Sequence, residues 1–390
     1  MNSDFHYYAT YCAAQLAGYS HEESLAVCYS SQLVDFFSST LISKIKAPAS
    51  AATTQLQLEL MDARTDILGL QNITRIWASF HFLPYDLYAE PVQKHCSKRY
   101  KNKYRLICNP NGELLKETIQ LAKDKSLQAA GIAMHILSDT WAHRYFAGTP
   151  SLVINNTNYH FYELFGNDGS FTEKKLVFRH SASVPDDLEN SIYTASLFVN
   201  SENSIMNLGH GRAGHLPDYS FIRYKYLPAW GNYEEIVKDN PSDYKHAFCQ
   251  MIYALKYLKG MYNTFECGRY DFDAAVPYQK EIDRIISGRK LDSSAEWKAF
   301  GEKVSGQKIP AFDLEKYQEE YVQAKGDDKD DTFIGKFVMA AMAQKSMVTN
   351  KIYNSGNKIA GYSLEYRKMD LRGIKDYKKL VRYFRKETEM

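Results

Sequence analysis

The sequence predicts a mainly α-helical protein: a multi-helical core, a small β-hairpin insertion and a C-terminal helical lobe. Three observations carry that expectation. Ser20-His-Glu-Glu23 sets a serine three residues ahead of a glutamate and just before an apolar run, the signature of a capping box. Within residues 241–266, Phe248, Met251, Ile252, Leu255, Leu258 and Met261 fall at helical spacing, giving one face to bury. Between Ser126 and Gly148 nearly every residue is apolar or small, and Gly148 can take the left-handed conformation that ends helices.

Taken in order, residues 5–16 form an aromatic, helix-compatible run closed by Gly18. The capped helix should extend over about residues 21–43, carrying Gln32 and Asp35 among Leu25, Val27, Leu33, Val34 and Phe36. Residues 45–60 begin as a loop and end in an alternating, strand-like run, and residues 73–83 read as extended or mixed. The basic stretch 95–108 reads as a solvated surface loop, and residues 116–123 as a short helix feeding the central one. Segments 151–162 and 174–179 alternate and would pair as a hairpin across Gly166-Asn-Asp-Gly-Ser170.

Beyond about residue 275 the chain changes character. Helices are expected near 277–288, 292–304, 312–325, 330–350 and 374–387, separated by polar linkers that include the acidic run Lys325–Asp331. This region contains no histidine. The chain therefore divides into a helical metal-binding, hydrolase-like core over 1–270 and a C-terminal helical lobe or appendage over 271–390, suited to shaping access or binding a protein partner.

Composition narrows the function classes. With 48 basic and 46 acidic residues the formal charge is +2, so no strong field marks a nucleic-acid or anionic-membrane binder. Six scattered cysteines without a C-x-x-C pair suit reduced thiols. No apolar stretch approaches the roughly 18 residues of a membrane span, and no basic-then-apolar leader opens the chain, so a cytoplasmic protein is expected.

The candidate chemistry centres on His135, Asp139 and His143. Recurring every fourth residue, they fall within an arc of roughly 80° on one helix face, among apolar neighbours where unpartnered polar groups are costly. One reading is a purely structural hydrogen-bonded ladder. The other is metal. The two histidines are about 12 Å apart along the axis, too far to share an ion, whereas Asp139 between them could bridge two ions about 3.5–4 Å apart. Leu208-Gly-His210-Gly-Arg-Ala-Gly-His215-Leu-Pro-Asp218 adds two histidines and an aspartate in a glycine-rich loop, which core packing explains poorly. His81 between phenylalanines reads as a ligand or as a satisfied core residue. Asp35 in Leu-Val-Asp-Phe-Phe reads as a functional carboxylate or as an exposed one.

Asp4-Phe-His-Tyr-Tyr-Ala-Thr-Tyr11, Phe80-His-Phe-Leu-Pro84, the His135–Gly148 segment and the Gly209–Asp218 loop together resemble a family of uncharacterised bacterial proteins over residues 4–265. More distantly, the chain resembles the all-helical superfamily of zinc-dependent phospholipase C and P1-type nucleases. That resemblance implies that His135 and Asp139 are its His-x3-Asp pair, with Asp139 bridging two ions. It implies further metal roles for His6, His81, His143, His210, His215 and Asp218, and a ligand or general-base role for Asp35. It also implies a small-molecule or lipid phosphoester as substrate, and zinc as the metal, with manganese or iron as substitutes. Two departures stand out. His143 follows Asp139 by four residues rather than six. The superfamily's N-terminal tryptophan, whose amine binds zinc, has no counterpart in Met1-Asn-Ser3, so that ligand should be missing and two ions rather than three are expected. Asp4 is expected to orient His6. The rival is a non-enzymatic helical scaffold or partner-binding protein around a structural metal site.

Overall fold

A computed structural model of the chain describes residues 1–56, 58–60, 67–92, 96–158, 160–166, 171–179, 184–195 and 208–360. The helix expected at 374–387 and positions 167–170 of the hairpin turn lie outside these residues. The fold is mainly α with small sheets, as the sequence indicates. A π-helical turn, Asp4–Ala9, runs into α1 (Thr10–Leu16), followed by α2 (His21–Leu33), α3 (Ser39–Ile45), α4 (Ile67–Phe80), α5 (Lys98–Tyr104), α6 (Glu113–Ala122) and α7 (Leu127–Ala142). Later come α8 (Asn240–Leu258), α9 (Gln279–Ile286), α10 (Ser294–Ser305) and α11 (Phe333–Asn354).

The axis of the molecule is α7. Ser126 caps it by accepting from the Ala129 amide, and every residue from Gln128 to Ala142 is buried. Helices α2, α4, α6, α8 and α11 all pack against it. Gly131 permits the close approach of α2: a Cβ there would lie 2.4 Å from the Val27 carbonyl. The helix stops at His143 instead of Gly148, because the backbone beyond it turns to pair elsewhere. Tyr145, at φ +80°, donates its amide to Cys108, and the Cys108 amide returns to Phe146. Gly148 instead lies against the Trp77–Ala78 backbone, where a Cβ would sit 2.6 Å from the Ala78 nitrogen.

Other expectations shift for equally local reasons. The Ser20–Glu23 capping box forms with both of its hydrogen bonds. The helix behind it ends at Leu33 rather than near 43, since Thr53 takes over the backbone: its hydroxyl donates to Val34 O and its amide to Phe37 O, while Ser38 caps α3. Asp35 therefore sits in a turn. Residues 58–60 are helical, not a strand, and Leu56 and Leu58 stay exposed. The stretch read as extended, 73–83, is mostly helix α4, with Ile73, Ile76 and Phe80 buried on one face. The basic loop contains a helix, α5, capped by Ser97.

Segment 151–162 is not a strand throughout, since Leu152–Asn155 is a helical turn. Strand β1 (Tyr162–Phe165) does pair antiparallel with β2 (Thr172–Lys175), while β3 (Val177–Arg179) pairs parallel with β4 (Ile192–Thr194). With β5 (Arg223–Tyr226) and β6 (Ile236–Asp239), the larger sheet has the order β2-β1-β5-β6, antiparallel throughout. Its inner face joins Phe161, Tyr224 and Tyr226 to Phe82, Phe146 and Leu216 in an apolar cluster of its own.

The elements after residue 270 share the main core. Trp297 of α10 meets Phe5 edge-on at 6.0 Å between ring centroids, and α11 lies along α7 and α4. No helix among the described residues is long and apolar enough to cross a membrane.

Candidate metal centre

His135, Asp139 and His143 leave α7 on one face, and four other parts of the chain converge on them. The π-helical turn brings His6, whose ring stacks on His135 at 3.8 Å between centroids. His81 arrives just past the end of α4. Asp35 comes from the turn after α2, and the 210–218 loop brings His210, His215 and Asp218. His6, His81, His135, Asp139 and His143 are all buried. Two short 3-10 turns, Gly211–Ala213 and Leu216–Asp218, shape the loop. Gly214 between them has φ +58°, and a Cβ there would lie 1.9 Å from the Thr194 carbonyl.

Five imidazoles are oriented in the same manner, with one ring nitrogen tied to a fixed oxygen and the other turned toward a carboxylate. His135 Nδ1 donates to Ser31 O at 2.9 Å, His81 Nε2 to Thr53 O at 3.1 Å, His143 Nδ1 to His81 O at 2.7 Å, and His210 Nδ1 to Gly214 O at 2.7 Å. A carbonyl only accepts, so these bonds place a hydrogen on the tied nitrogen and, in the neutral ring, leave the other nitrogen as the acceptor. His6 Nδ1 lies 3.4 Å from Ser138 Oγ, whose hydroxyl donates to His135 O.

The free nitrogens form two groups. On one side, His135 Nε2 and His81 Nδ1 lie 3.2 Å apart and 3.1 and 3.2 Å from Asp139 Oδ2, with Asp35 Oδ1 3.9 Å from each. His6 Nε2 is 3.2 Å from Asp139 Oδ1. On the other side, His143 Nε2 and His210 Nε2 lie 3.3 and 3.5 Å from the two oxygens of Asp218. His215, whose side chain is 58 % exposed, places Nδ1 3.4 Å from Asp218 at the rim. Among the described residues three triads have donor atoms close enough to hold a metal ion: His81–His135–Asp139 and His6–Asp35–His135, which share His135, and the separate His143–His210–Asp218.

Electrostatics sharpens the geometry. Burial lowers the pKa of His6 and of His210 to about 4, so near neutral pH their free nitrogens carry lone pairs. Burial by itself would raise the Asp139 and Asp218 carboxyls. Surrounding histidines and the Met1 amine outweigh it and hold both well below the usual carboxylate range. The free nitrogens of His6 and His210 thus face ionised oxygens at 3.2 and 3.5 Å, an arrangement that repels unless a cation, the Met1 ammonium or a metal ion, lies beside them. Tetrahedral bonds of about 2.0–2.1 Å to zinc would separate neighbouring ligand atoms by roughly 3.3 Å, so the donor set fits such an ion.

The main departure from expectation is Met1. Its α-amino nitrogen is buried at the junction of the two groups, 2.8 Å from Asp139 Oδ1, 3.3 Å from Asp218 Oδ1 and 3.4 Å from His143 Nε2. Where the resemblance left no N-terminal ligand, a cationic amine thus lies at the junction of the two groups. Burial opposes its charge, but Asp139, Asp218 and Asp35 prevail and raise its pKa to about 11.

Asp4 also departs from expectation. It does not touch His6; it accepts from the Ser293 amide before α10, and burial raises its pKa to about 6. Sequence reasoning missed three further residues. Phe82 stacks on His143 at 4.5 Å, and Asn240 donates to Leu216 O and Tyr219 O, clamping the turn that carries Asp218. Tyr244 donates to Pro217 O in the same turn. Asn240 stands directly before Pro241, where a sequence shows only the start of a helix.

Neither the curated proteins nor the solved structures contain a match to this chain. One family does match, over residues 1–352, and the chain accordingly belongs to the Family of unknown function (DUF6765).

Proposed function

We propose that this protein is a metal-dependent hydrolase of a phosphoester, with two zinc ions held on either side of Asp139. The single observation that carries the reading is the orientation of the histidines: each is locked by an outer hydrogen bond with its free nitrogen aimed at a shared carboxylate. Two ions are favoured over three. His135 Nδ1 is committed to Ser31, so its one free nitrogen cannot serve both triads that include it. His6, His81, His135 and Asp139 would hold one ion, and His143, His210 and Asp218 the other, with His215 as a further ligand at the rim. The likeness to zinc-dependent phospholipase C and P1-type nucleases rests on His135 and Asp139.

When bound, such ions supply Lewis acidity, lowering the pKa of an attacking water and neutralising charge on the phosphoryl oxygens. The chain's own residues do the rest. Asp139 and Asp218 fix the two halves of the site relative to each other. Asp35, 31 % exposed beside His81 and His135 and held by the Gln32 amide at 3.1 Å, would take the proton of the attacking water. The water oxygen would join phosphorus as the ester P–O bond breaks, and the alcohol would leave with the proton that Asp35 took from the water. Residues 1–270 would carry this chemistry, with 271–390 shaping access or meeting a protein partner.

A second reading has one observation in its favour. The Met1 ammonium neutralises one of the two charges on Asp139 and Asp218 without any metal, which suits a scaffold with a closed structural site. Metal content of untagged protein by plasma mass spectrometry separates them: about two equivalents supports the hydrolase, and none, even after metal is added, refutes it. With metal present, a cobalt-substituted form whose spectrum responds to phosphate has an open coordination position. An inert spectrum leaves the scaffold.

A further inference from the structure

A cavity of about 470 Å³ lies away from the histidines, between α4, α5 and the segments at 149–150 and 358–359. Lys98, Arg99, Lys103 and Lys358 line it, and among the described residues no carboxylate does. Among the described residues none of the four cations pairs with an acid, whereas their neighbours Lys101 and Arg105 both bind Glu90. Burial and the adjacent Arg99 lower the Lys103 pKa, as befits a cation lacking a counter-charge.

The remaining wall is of two kinds. Gln71, Thr74, Asn102 and Thr149 supply hydrogen-bonding groups, and Leu70, Pro150 and Ile359 supply apolar surface. The wall is held together internally: Thr74 and Thr149 hydroxyls are bonded at 3.2 Å, joining α4 to the bend after α7. Asn357, buried, donates to Asn102 O and pins the 357–359 segment against α5, which sets Lys358 at the rim. Uncompensated positive charge over an apolar floor selects a ligand with both characters, and this volume is that of a small-molecule site rather than a polymer groove.

We propose that this cavity binds a small organic anion, a phosphate- or sulfonate-type head group on an apolar body. The head group meets Arg99, Lys103 and Lys358, and the body lies against Leu70, Pro150 and Ile359. None of the candidate metal ligands lines the cavity, so the proposal does not depend on the hydrolase reading.

Calorimetric titration with naphthalene-2-sulfonate, which cannot be hydrolysed as a phosphoester, tests it. One molecule should bind per chain, at least about tenfold more tightly than inorganic sulfate, and R99E/K103E should weaken binding by at least about tenfold with metal content unchanged. Lys358→Glu, on an exposed side chain, is the independent variant should the double one fail to fold, and it should weaken binding in the same direction. No binding to the wild type, equal binding of sulfate, or undiminished binding in the folded variants would each overturn the proposal.

Discussion

The two halves of the histidine site are built by different means. His6, His81 and His135 sit on helices or at a helix end, deep in the main core, with carbonyls of Ser31 and Thr53 fixing two of the rings. His210, His215 and Asp218 sit on a glycine-containing loop against the β layer, where side-chain exposure reaches 58 % at His215. Helix packing holds the first half, and one buried asparagine clamps the second. The comparison teaches that metal occupancy should be graded: the helix half should retain metal when the loop half is loosened, with Asp139, His143 and the Met1 amine forming the seam between the two.

The largest effect should come from Asp139→Ala, which touches both halves. Both ions should be lost from the metal analysis. Stability should fall as well, by about 3–5 kcal/mol if the Met1 ammonium is left buried without its closest partner. Full metal retention would end the bridging account. Next, His135→Ala and His210→Ala should each remove about one equivalent, from opposite halves. If His210→Ala emptied both, the halves would be one cooperative unit and the comparison would fail.

Asn240→Ala should be more selective still. It leaves Leu216 O and Tyr219 O without their donor and frees the turn bearing Asp218, so metal affinity at the loop half should drop about 10–100-fold while the helix half is unchanged. Titration with a chromophoric chelator reads the two affinities separately.

The metal-free protein should show the histidine burial directly. His6 and His210 have pKa values lowered to about 4 in the fold against 6.5 when free. As pH falls from about 6.5 toward 4 the unfolded chain takes up protons that the folded one refuses, so stability is full above that window and declines through it. Urea midpoints across pH 4–8 would show this; a midpoint that rises on acidification would contradict it. The smallest effect belongs to His215→Ala at the rim, where affinity at the loop half should change by less than about tenfold.

Much of this was legible in the chain itself. Helical spacing and caps fixed the helices around α2, α6, α7 and α8, and the His135–Asp139–His143 spacing placed two histidines too far apart to share an ion. In the structure His135 belongs to two of the triads, one of them with Asp139, and His143 to a third with His210 and Asp218. Residues 73–83 were harder, because a short apolar run has no period of its own; it became helix where Ile73, Ile76 and Phe80 found a common core to face.

What the sequence determined by itself was local: residue types, their spacing along helices, and the turn-forming glycines near His210 and His215. Those follow from steric and periodic rules that act over a few residues. Tertiary structure alone decided which distant groups meet. Met1 comes within 2.8 Å of Asp139 across 138 positions, and Ser31 O and Thr53 O choose the tautomers of His135 and His81 from 104 and 28 positions away. Backbone carbonyls and a chain-terminal amine carry no side-chain signature. Their roles exist only once packing has brought them to the site.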